Sequence, residues 1–358
     1  MRRILIPYVA FALLLCGATI AGRASLHHSA RALDAQMPRY AHIFVIVEEN
    51  KNYSQIFGQG LAPGLDALAR RYGNATEFYA ETHPSEPNYV ALVGGYTFGI
   101  RDDDAYFCRP RERNRFCPHS FLPGYVDHTI DAPNLATQLE AAHLTWKNYL
   151  ESIPSPGSLL SEKGLYVAKH SGFINFVSVQ RDPHRAEHLV GFDEFYADLK
   201  TGRVPNFALV IPNVCNEMHG ASSGPRTPPG CAYDPIGPLV HRGDDESVAI
   251  VRAIQASRIW RSRENVAIVI TWDENDAYSY VGCCGNDPRD PSNRGGGHIP
   301  TIVVTNRGPR HVADATPYSH YSLLRTIEDA FGIRDHLRRA SAPGVVPMVP
   351  LFRISPAR

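Results

Sequence analysis

Acidic, amide and imidazole side chains follow the ends of three apolar segments, in positions suited to hold a cation. In chain order they are Glu49, Asn50, Glu217, His219, Asp273 and Glu274. Oxygen ligands of this kind bind Mg²⁺, Ca²⁺ or Mn²⁺, and a histidine among them moves the preference toward Zn²⁺. The sequence therefore predicts a divalent-metal site and leaves the identity of the metal open.

A fourth segment, Thr82–Tyr89, supplies a candidate nucleophile. Pro87 is suited to the first turn of a helix, which puts Ser85 just before a helix N-terminus. Backbone N–H groups and the positive end of the helix dipole favour a phosphate or a serine alkoxide there. Taken alone, Ser85 would be interpreted as a helix cap. Beside candidate metal ligands, we interpret it as the nucleophile.

Buried strands and intervening helices are predicted to position these side chains. Four short apolar runs rich in β-branched residues are typical of buried parallel strands: His42–Val47, Phe207–Ile211, Val266–Trp272 and Ile299–Thr305. Helical patterns cover Leu61–Tyr72, Asn134–His143, Asp244–Trp260 and Tyr321–Phe331. Alternating strands and helices predict an α/β fold with a mostly parallel central sheet and helices on both faces. Ligands of such sheets bind beyond the carboxyl ends of the strands.

Composition limits the class of protein. The chain has 358 residues, of which 44% are apolar, with 36 basic and 36 acidic side chains. Such a chain is long enough to bury a core and is neither disordered nor a multi-span membrane protein. The balanced charge argues against a nucleic-acid partner. The oligomeric state stays open.

The first residues resemble a secretory signal. Arg2 and Arg3 precede an apolar stretch over 4–21, and small residues follow it. We therefore expect a signal peptide over 1–24, a linker over 25–37, and one catalytic domain over 38–358 with loop insertions near 101–131 and 215–243. The expected location is secreted or periplasmic, with no stable membrane span after cleavage; the alternative is an uncleaved N-terminal anchor.

Six cysteines remain once residues 1–24 are removed, and an even number behind a secretory signal suggests disulfides. Local spacing favours the pairs Cys108–Cys117 and Cys215–Cys231. Cys283 and Cys284 are adjacent in the chain, and a bond between neighbours would be strained. We therefore expect these two to pair elsewhere or to stay free.

Five segments in this order carry a family resemblance. They are Glu49–Ser54, His83–Tyr89, Ile211–Asn213 with Met218–Gly220, Thr271–Glu274 and His320–Leu324. Together they resemble the phosphoesterase family of secreted acid phosphatases and bacterial phospholipases C, within the alkaline phosphatase superfamily. The resemblance spans roughly 40–335. One departure is Asn275-Asp276-Ala277, where related sequences often have Asp-Asp-Gly.

The resemblance implies a role for each matching residue. The implied metal ligands are Glu49, Asn50, Ser85, Asp273 and Glu274. Ser85 is also the implied nucleophile, and His219 and His320 would contact the phosphoryl group, with His83 as a further candidate. Asp244 and Glu217 would lie behind the ligands and support them.

The implied function is metal-dependent hydrolysis of phosphoric monoesters through a phosphoserine on Ser85. The substrate would be a phosphorylated small molecule or lipid. The alternatives are a phospholipase C that cleaves a phosphodiester headgroup, and a secreted binding protein that has lost turnover. A second serine motif, Gly220-Ala221-Ser222-Ser223-Gly224, matches the nucleophile turn of serine hydrolases. It does not lie between a strand and a helix in this pattern, so we reject it.

Overall fold

The structure is a computed structural model and describes residues 36–276 and 279–354. The predicted signal peptide and nearly all of the predicted linker lie outside these residues. The described strands are β1 His42–Glu48, β2 Gly73–Ala75, β3 Phe78–Tyr79, β4 Trp146–Leu150, β5 Glu162–Lys163, β6 Tyr166–Val167, β7 Leu189–Val190, β8 Phe207–Ile211, β9 Val266–Trp272, β10 His298–Ile299, β11 Thr301–Thr305, β12 Val312–Asp314 and β13 Tyr318–Ser319.

The helices connect these strands. They are α1 Tyr53–Ile56, α2 Pro63–Arg71, α3 Glu86–Gly94, α4 Leu135–Ala141, α5 Val177–Gln180, α6 Arg185–His188, α7 Phe192–Thr201, α8 Ile236–Ala256, α9 His320–Phe331 and α10 Val349–Phe352. Short 3₁₀ helices cover Ala168–Ser171, Phe173–Asn175 and Arg338–Ser341. Within the described residues, no helix is both long and apolar enough to cross a bilayer.

The central sheet of the described chain has eight strands in the order β12-β2-β11-β9-β1-β8-β4-β7. Five of the seven neighbouring pairs are parallel, which confirms the predicted mostly parallel α/β sheet. The run Ile299–Thr305 was wrongly expected to be a parallel strand: β11 is antiparallel to both of its neighbours. Pro300 has no N–H to donate, so the run divides there, and its first residues join a different sheet.

The registers of the central strands decide which side chains meet. Glu48 on β1 is level with Trp272 on β9, so both strands end at the same height. The Asp273 N–H then donates to the Glu48 carbonyl at 3.0 Å. Because successive side chains of a strand alternate between faces, a shift of one residue would turn these groups away from each other. The register therefore sets residues 49–50 beside residues 273–274.

A second, three-stranded sheet in the order β10-β3-β13 carries the serine segment. The chain leaves β3 at Tyr79 and reaches Ser85 six residues later, where α3 begins. All nine residues of α3 are buried, and the helix ends at Gly95 with φ 72°. Glycine adopts this left-handed conformation readily, which allows a sharp stop there. A buried helix with a fixed end holds Ser85 in place.

Other boundaries differ from expectation. Helix α8 begins at Ile236, eight residues before the predicted start at Asp244, so the insertion expected over 215–243 contains the first two turns of this helix. Pro238 lies near the N-terminus of α8, where a missing N–H costs no hydrogen bond, so it does not break the helix. Residues 101–131 form the expected loop, without a helix or strand in the described chain.

Three disulfides join the six cysteines of the described residues. Two of them, Cys108–Cys117 and Cys215–Cys231, are the pairs that the spacing favours. The third joins Cys283 to Cys284, contrary to our expectation. The other four cysteines are already paired, and a turn in which the Asn286 N–H donates to the Cys283 carbonyl holds the two neighbours together.

Glu328 on α9 provides a test of the core. Its buried carboxylate accepts a hydrogen bond from the Leu337 N–H at 2.8 Å, and burial raises its pKa to about 7. Between its ordinary pKa of 4.5 and that value, the folded protein keeps a proton that the unfolded chain has lost. The contribution of Glu328 to the free energy of unfolding therefore falls as pH rises through this range. We expect Glu328→Gln to raise the free energy of unfolding by about 1–3 kcal/mol at pH 8 and to change it little near pH 4.5. Urea unfolding at both pH values checks this, and an equal gain at both would contradict it.

Candidate active site

Three carboxylates converge where β1 and β9 end. Glu49, Asp273 and Glu274 are each at most 4% exposed. The Asn50 N–H donates to Asp273 Oδ1 at 3.0 Å, which ties the two loops together. Asn50 has φ 51°, a left-handed conformation that asparagine tolerates better than most residues. The predicted ligands at these two strand ends therefore lie side by side.

Ser85 faces these carboxylates. Its Oγ lies 3.1 Å from Glu274 Oε1 and 3.3 Å from Glu49 Oε2, and the residue is 2% exposed. Although Ser85 occupies the N-cap position of α3, its side chain makes no capping hydrogen bond. The arrangement therefore directs the hydroxyl into the acidic cluster and not along the helix.

The N-terminus of α3 differs from expectation. We expected the N–H groups at the start of this helix to favour a phosphate or the serine alkoxide, but Pro87 has no N–H and the Asn88 N–H donates to the Ser85 carbonyl at 2.9 Å. The Glu86 N–H donates to Asp103 Oδ1 at 3.0 Å. Asp103 also pairs with the Lys169 ammonium at 2.6 Å. The chain's own groups therefore engage the first N–H donors of the helix, so the expectation was wrong.

The electrostatics of the cluster fit a bound cation. Burial, followed by the negative charge of Glu49, raises the pKa of Asp273 and of Glu274 well above their usual range. Asp273 Oδ2 is buried without a hydrogen-bond partner. An unpaired buried carboxylate oxygen is costly, and oxygen ligands of this type suit divalent cations. Carboxylate oxygens of Glu49, Asp273 and Glu274 and the Oγ of Ser85 are thus of the kind that the implied metal would need, and Asn50 lines the cavity that opens over them.

His170 is a central residue that the sequence analysis missed. Its Nε2 lies 2.9 Å from Glu49 Oε1 and its Nδ1 lies 2.8 Å from Glu217 Oε1. Burial opposes its protonation, but the charges of Glu217 and Glu49 outweigh this effect and raise its pKa to about 10. The ring also stacks on Tyr89, whose hydroxyl donates to Glu49 Oε1 at 3.1 Å. His170 therefore sits as an imidazolium between two buried carboxylates.

The same three groups meet the geometry of a second cation site. Ligating atoms of Glu49, His170 and Glu217 lie within 4.8 Å of one another, and all three residues are fully buried. Burial raises the pKa of Glu217 to about 7, with His170 opposing the shift. Glu217 reaches Glu49 through this histidine, and its support of a metal ligand stays a prediction. Because one imidazolium bridges both carboxylates and cancels one of their two charges, we assign His170 a positioning role.

Lys51 is a second cation that the motifs did not single out. Its buried ammonium donates to the carbonyls of Asn50 and Met218, each at 2.8 Å. The two loops that carry Asn50 and His219 are thereby joined by one side chain. Lys51 lies within the family segment Glu49–Ser54, but nothing in that segment predicts that its ammonium is buried.

A cavity of about 340 Å³ opens over the cluster. His83, Ser85, His219 and Glu274 all line it. His83 Nδ1 contacts Glu274 Oε2, and His219 Nδ1 lies 2.9 Å from the Gly220 carbonyl. Burial lowers the pKa of both histidines. The structure therefore brings these two predicted histidines to the nucleophile.

Two predicted residues lie elsewhere. His320 is fully buried, and its Nε2 lies 2.8 Å from the Trp272 carbonyl, behind the strand end and away from the residues that line the cavity. Burial lowers its pKa to about 4. Asp244 accepts from the N–H groups of Gly64 and Leu65 at 2.9 and 2.6 Å, where it neutralises the N-terminus of α2. His320 thus binds the end of β9, and Asp244 binds the start of α2.

His170→Gln tests the buried ion pair. Removing the imidazolium leaves two buried carboxylates without their cation, so we expect the free energy of unfolding to fall by about 3–5 kcal/mol. The double variant His170→Gln/Glu217→Gln should recover part of the loss. His184→Gln, at an exposed histidine, is the matched control and should be neutral. Urea unfolding measures all three; wild-type stability for His170→Gln, or no recovery in the double variant, would contradict the assignment.

Solved structures show the same fold. The structure resembles a sulfatase from Pseudoalteromonas sp. with a TM-score of 0.52 and 12% identity, over 88% of this chain and 72% of that one. It also resembles a protein in the alkaline phosphatase superfamily from Vibrio parahaemolyticus, with a TM-score of 0.51 and 11% identity, over 83% and 67%. At these identities the likeness concerns the fold alone.

Relatives identified by sequence have higher identity to this chain than these solved structures do. The chain is 28% identical to a phosphatidylinositol-3-phosphatase of Mycobacterium tuberculosis over 312 residues, covering 86% of this chain and 83% of the relative. It is 26% identical to a phosphate-repressible acid phosphatase of Penicillium chrysogenum, covering 76% of this chain but only 55% of that protein. The phosphoesterase family model matches residues 61–334, which include Ser85, Asp273 and Glu274 and begin after Glu49 and Asn50. With a match over most of its length, the chain belongs to the phosphoesterase family and is a phosphoric ester hydrolase.

Proposed function

We propose that the chain hydrolyses phosphoric monoesters with a divalent metal and through a phosphoserine on Ser85. The observation that carries the proposal is the position of Ser85 Oγ, within 3.3 Å of Glu49 and Glu274 and without a capping bond. A structural serine at a helix start would bond to its own helix. A hydroxyl directed at buried carboxylates suits a group that loses its proton during a reaction.

A divalent cation held by Glu49, Asn50, Ser85, Asp273 and Glu274 would stabilise the serine alkoxide and the charge on the phosphoryl oxygens. The protein supplies the proton transfers. Two carboxylate oxygens accept a hydrogen bond from the Ser85 hydroxyl, and His83 is in contact with one of these carboxylates, Glu274. His219 reaches the same cavity and would donate a proton to the leaving alcohol.

In the first step Ser85 gives its proton to a neighbouring carboxylate such as Glu274, its Oγ forms a bond to phosphorus, the bond from phosphorus to the ester oxygen breaks, and His219 gives a proton to the leaving alcohol. In the second step water gives a proton to His219 and attacks phosphorus, the bond from phosphorus to Oγ breaks, and the carboxylate returns the proton to the serine as inorganic phosphate leaves. A serine positioned beside proton acceptors is the feature that nucleophilic catalysis needs.

Monoesters are the favoured substrates because the sequence relatives described above are named as phosphatases. Phosphorylated small molecules and phosphorylated lipids both fit this class. A second cavity of about 610 Å³ shares His83, Pro84 and Asp103 with the first, which leaves room for a leaving group of either kind. We also propose an extracytoplasmic location, since disulfides persist in oxidising compartments.

Chelation and mutation test the metal and the nucleophile. We expect wild-type protein to hydrolyse p-nitrophenyl phosphate, EDTA to stop the reaction, and Ser85→Ala to lower kcat at least ~1,000-fold. Ser222→Ala, which removes the exposed serine of the rejected hydrolase motif, is the control and should keep full activity. Faster hydrolysis of bis(p-nitrophenyl) phosphate than of the monoester would favour the phospholipase C alternative. No hydrolysis of either ester would favour a protein that binds without turnover.

Trapping tests the covalent intermediate. Acid quenching during turnover should leave one phosphate on the tryptic peptide that contains Ser85, detected by mass spectrometry. The Ser85→Ala protein should carry none. If the enzyme turns over but rapid quenching finds no phosphate on that peptide, the phosphoserine mechanism is wrong. Water would then attack the substrate directly.

A further inference from the structure

Apolar side chains that a soluble protein usually buries surround the mouth of the two cavities. The described residues include seven large apolar side chains that are clearly exposed; three of them line this mouth, and two more are next to those three in the chain. Leu122 and Tyr280 line the larger cavity and Tyr233 lines the smaller one. Phe121 and Val281 are their chain neighbours, with 58% and 55% exposure. An exposed apolar cluster of this kind marks an interaction site.

The disulfide-closed segment Cys108–Cys117, the arginine loop, lies just before Phe121 and Leu122 and is strongly basic. The ten residues from Cys108 to Cys117 contain four arginines and a single acid, Glu112, in a chain whose formal charge is zero. The four arginines, all exposed, are Arg109, Arg111, Arg113 and Arg115. Ion pairs of arginine in the described chain involve Arg70, Arg289 and Arg325 instead. The charge of this loop is therefore available to an outside partner.

The loop presents these side chains from a fixed backbone. The Cys108–Cys117 disulfide closes it, and the Arg111 N–H donates to the Ser120 carbonyl at 2.8 Å. Its two cysteines pack with Ala105 in a small core of its own. The backbone is bonded inward while the guanidinium groups and Phe121 point outward. Because this backbone is already ordered, it loses less conformational entropy when the surface binds a partner.

We propose that this mouth, with the arginine loop as its charged side, docks on the surface of a bilayer that contains anionic lipids. Guanidinium groups next to aromatic and aliphatic side chains are the combination that binds such an interface: the charges meet the headgroups and the apolar groups enter the acyl boundary. Aliphatic groups such as Leu122 and Val281 gain little from a nucleic acid or another polyanion, so the observations favour a lipid surface. Docking there would hold the catalytic cavity against the membrane. The docking itself does not depend on the proposed hydrolysis.

Vesicle binding tests this surface with matched charge reversals. The loop variant is Arg111→Glu/Arg113→Glu. The control, Arg261→Glu/Arg263→Glu, has the same spacing and charge change. Its two residues are exposed and lie before the amino end of β9, whereas the candidate site lies beyond the carboxyl end. All proteins carry the same N-terminal residues, so any contribution from those cancels. Co-sedimentation uses vesicles of phosphatidylcholine alone or with about 30% phosphatidylserine, at physiological ionic strength.

We expect the wild-type protein to prefer the anionic vesicles, the loop variant to bind them about 30-fold more weakly or worse, and the control to bind like wild type. Phe121→Ser should weaken binding ~10-fold while kcat on p-nitrophenyl phosphate stays the same. The Ser85→Ala protein should bind like wild type, which separates docking from hydrolysis. Equal loss in the loop and control variants, or no preference for anionic vesicles, would overturn the proposal. The proposal would also be overturned if the wild-type protein bound a single-stranded oligonucleotide more strongly than the anionic vesicles and Phe121→Ser kept that binding. This result would indicate a site for polyanions in general.

Discussion

Mutual repulsion between buried carboxylates governs the centre of this protein. Glu49, Glu217, Asp273 and Glu274 are all buried within one small volume. At an effective dielectric constant of about 20, two like charges 4 Å apart repel by about 4 kcal/mol. The fold meets this cost with His170 between Glu49 and Glu217, with Asn50 donating to Asp273, and with a ligand set that suits a divalent cation. The histidine bridge and the Asn50 hydrogen bond are thus two responses to one electrostatic problem, and the proposed cation would be a third.

The backbone of the loops around this centre adopts conformations that cost free energy. Asn50 and Met218 both have left-handed backbone conformations, with φ 51° and 73°. Such conformations persist only where the surroundings hold them, and they often occur at functional sites. Here the Lys51 ammonium, bonded to the carbonyls of these two residues, provides the restraint. One buried cation therefore fixes the backbone on both sides of the cavity.

Local sequence was enough to predict the strands and the convergence of acidic side chains at their ends. Three of the four predicted strands are parallel members of the sheet, because continuous runs of β-branched residues favour buried strands. The order of the motifs also predicted Ser85 near Glu49 and Glu274. The antiparallel direction of β11 reflects the connection from β9, whose described residues contain no crossover helix, and no periodicity reveals this. His170 lies in a short 3₁₀ helix between weakly patterned segments, and its importance arises from two acids that are 121 and 47 residues away in the chain. Such long-range partners of a single side chain are outside the reach of pattern and spacing.

The carboxylate of Asp103 at the start of α3 bears on product release. A helix N-terminus with free N–H groups binds inorganic phosphate well, and so retains the product of a phosphate ester hydrolase. In this protein Asp103 already accepts the Glu86 N–H, and its negative charge faces the cavity. Affinity that is equal for substrate, transition state and product does not raise kcat. By filling the helix terminus with its own carboxylate, the chain gives up that uniform affinity; in the proposed monoester hydrolysis, phosphate would depart without breaking bonds to the helix.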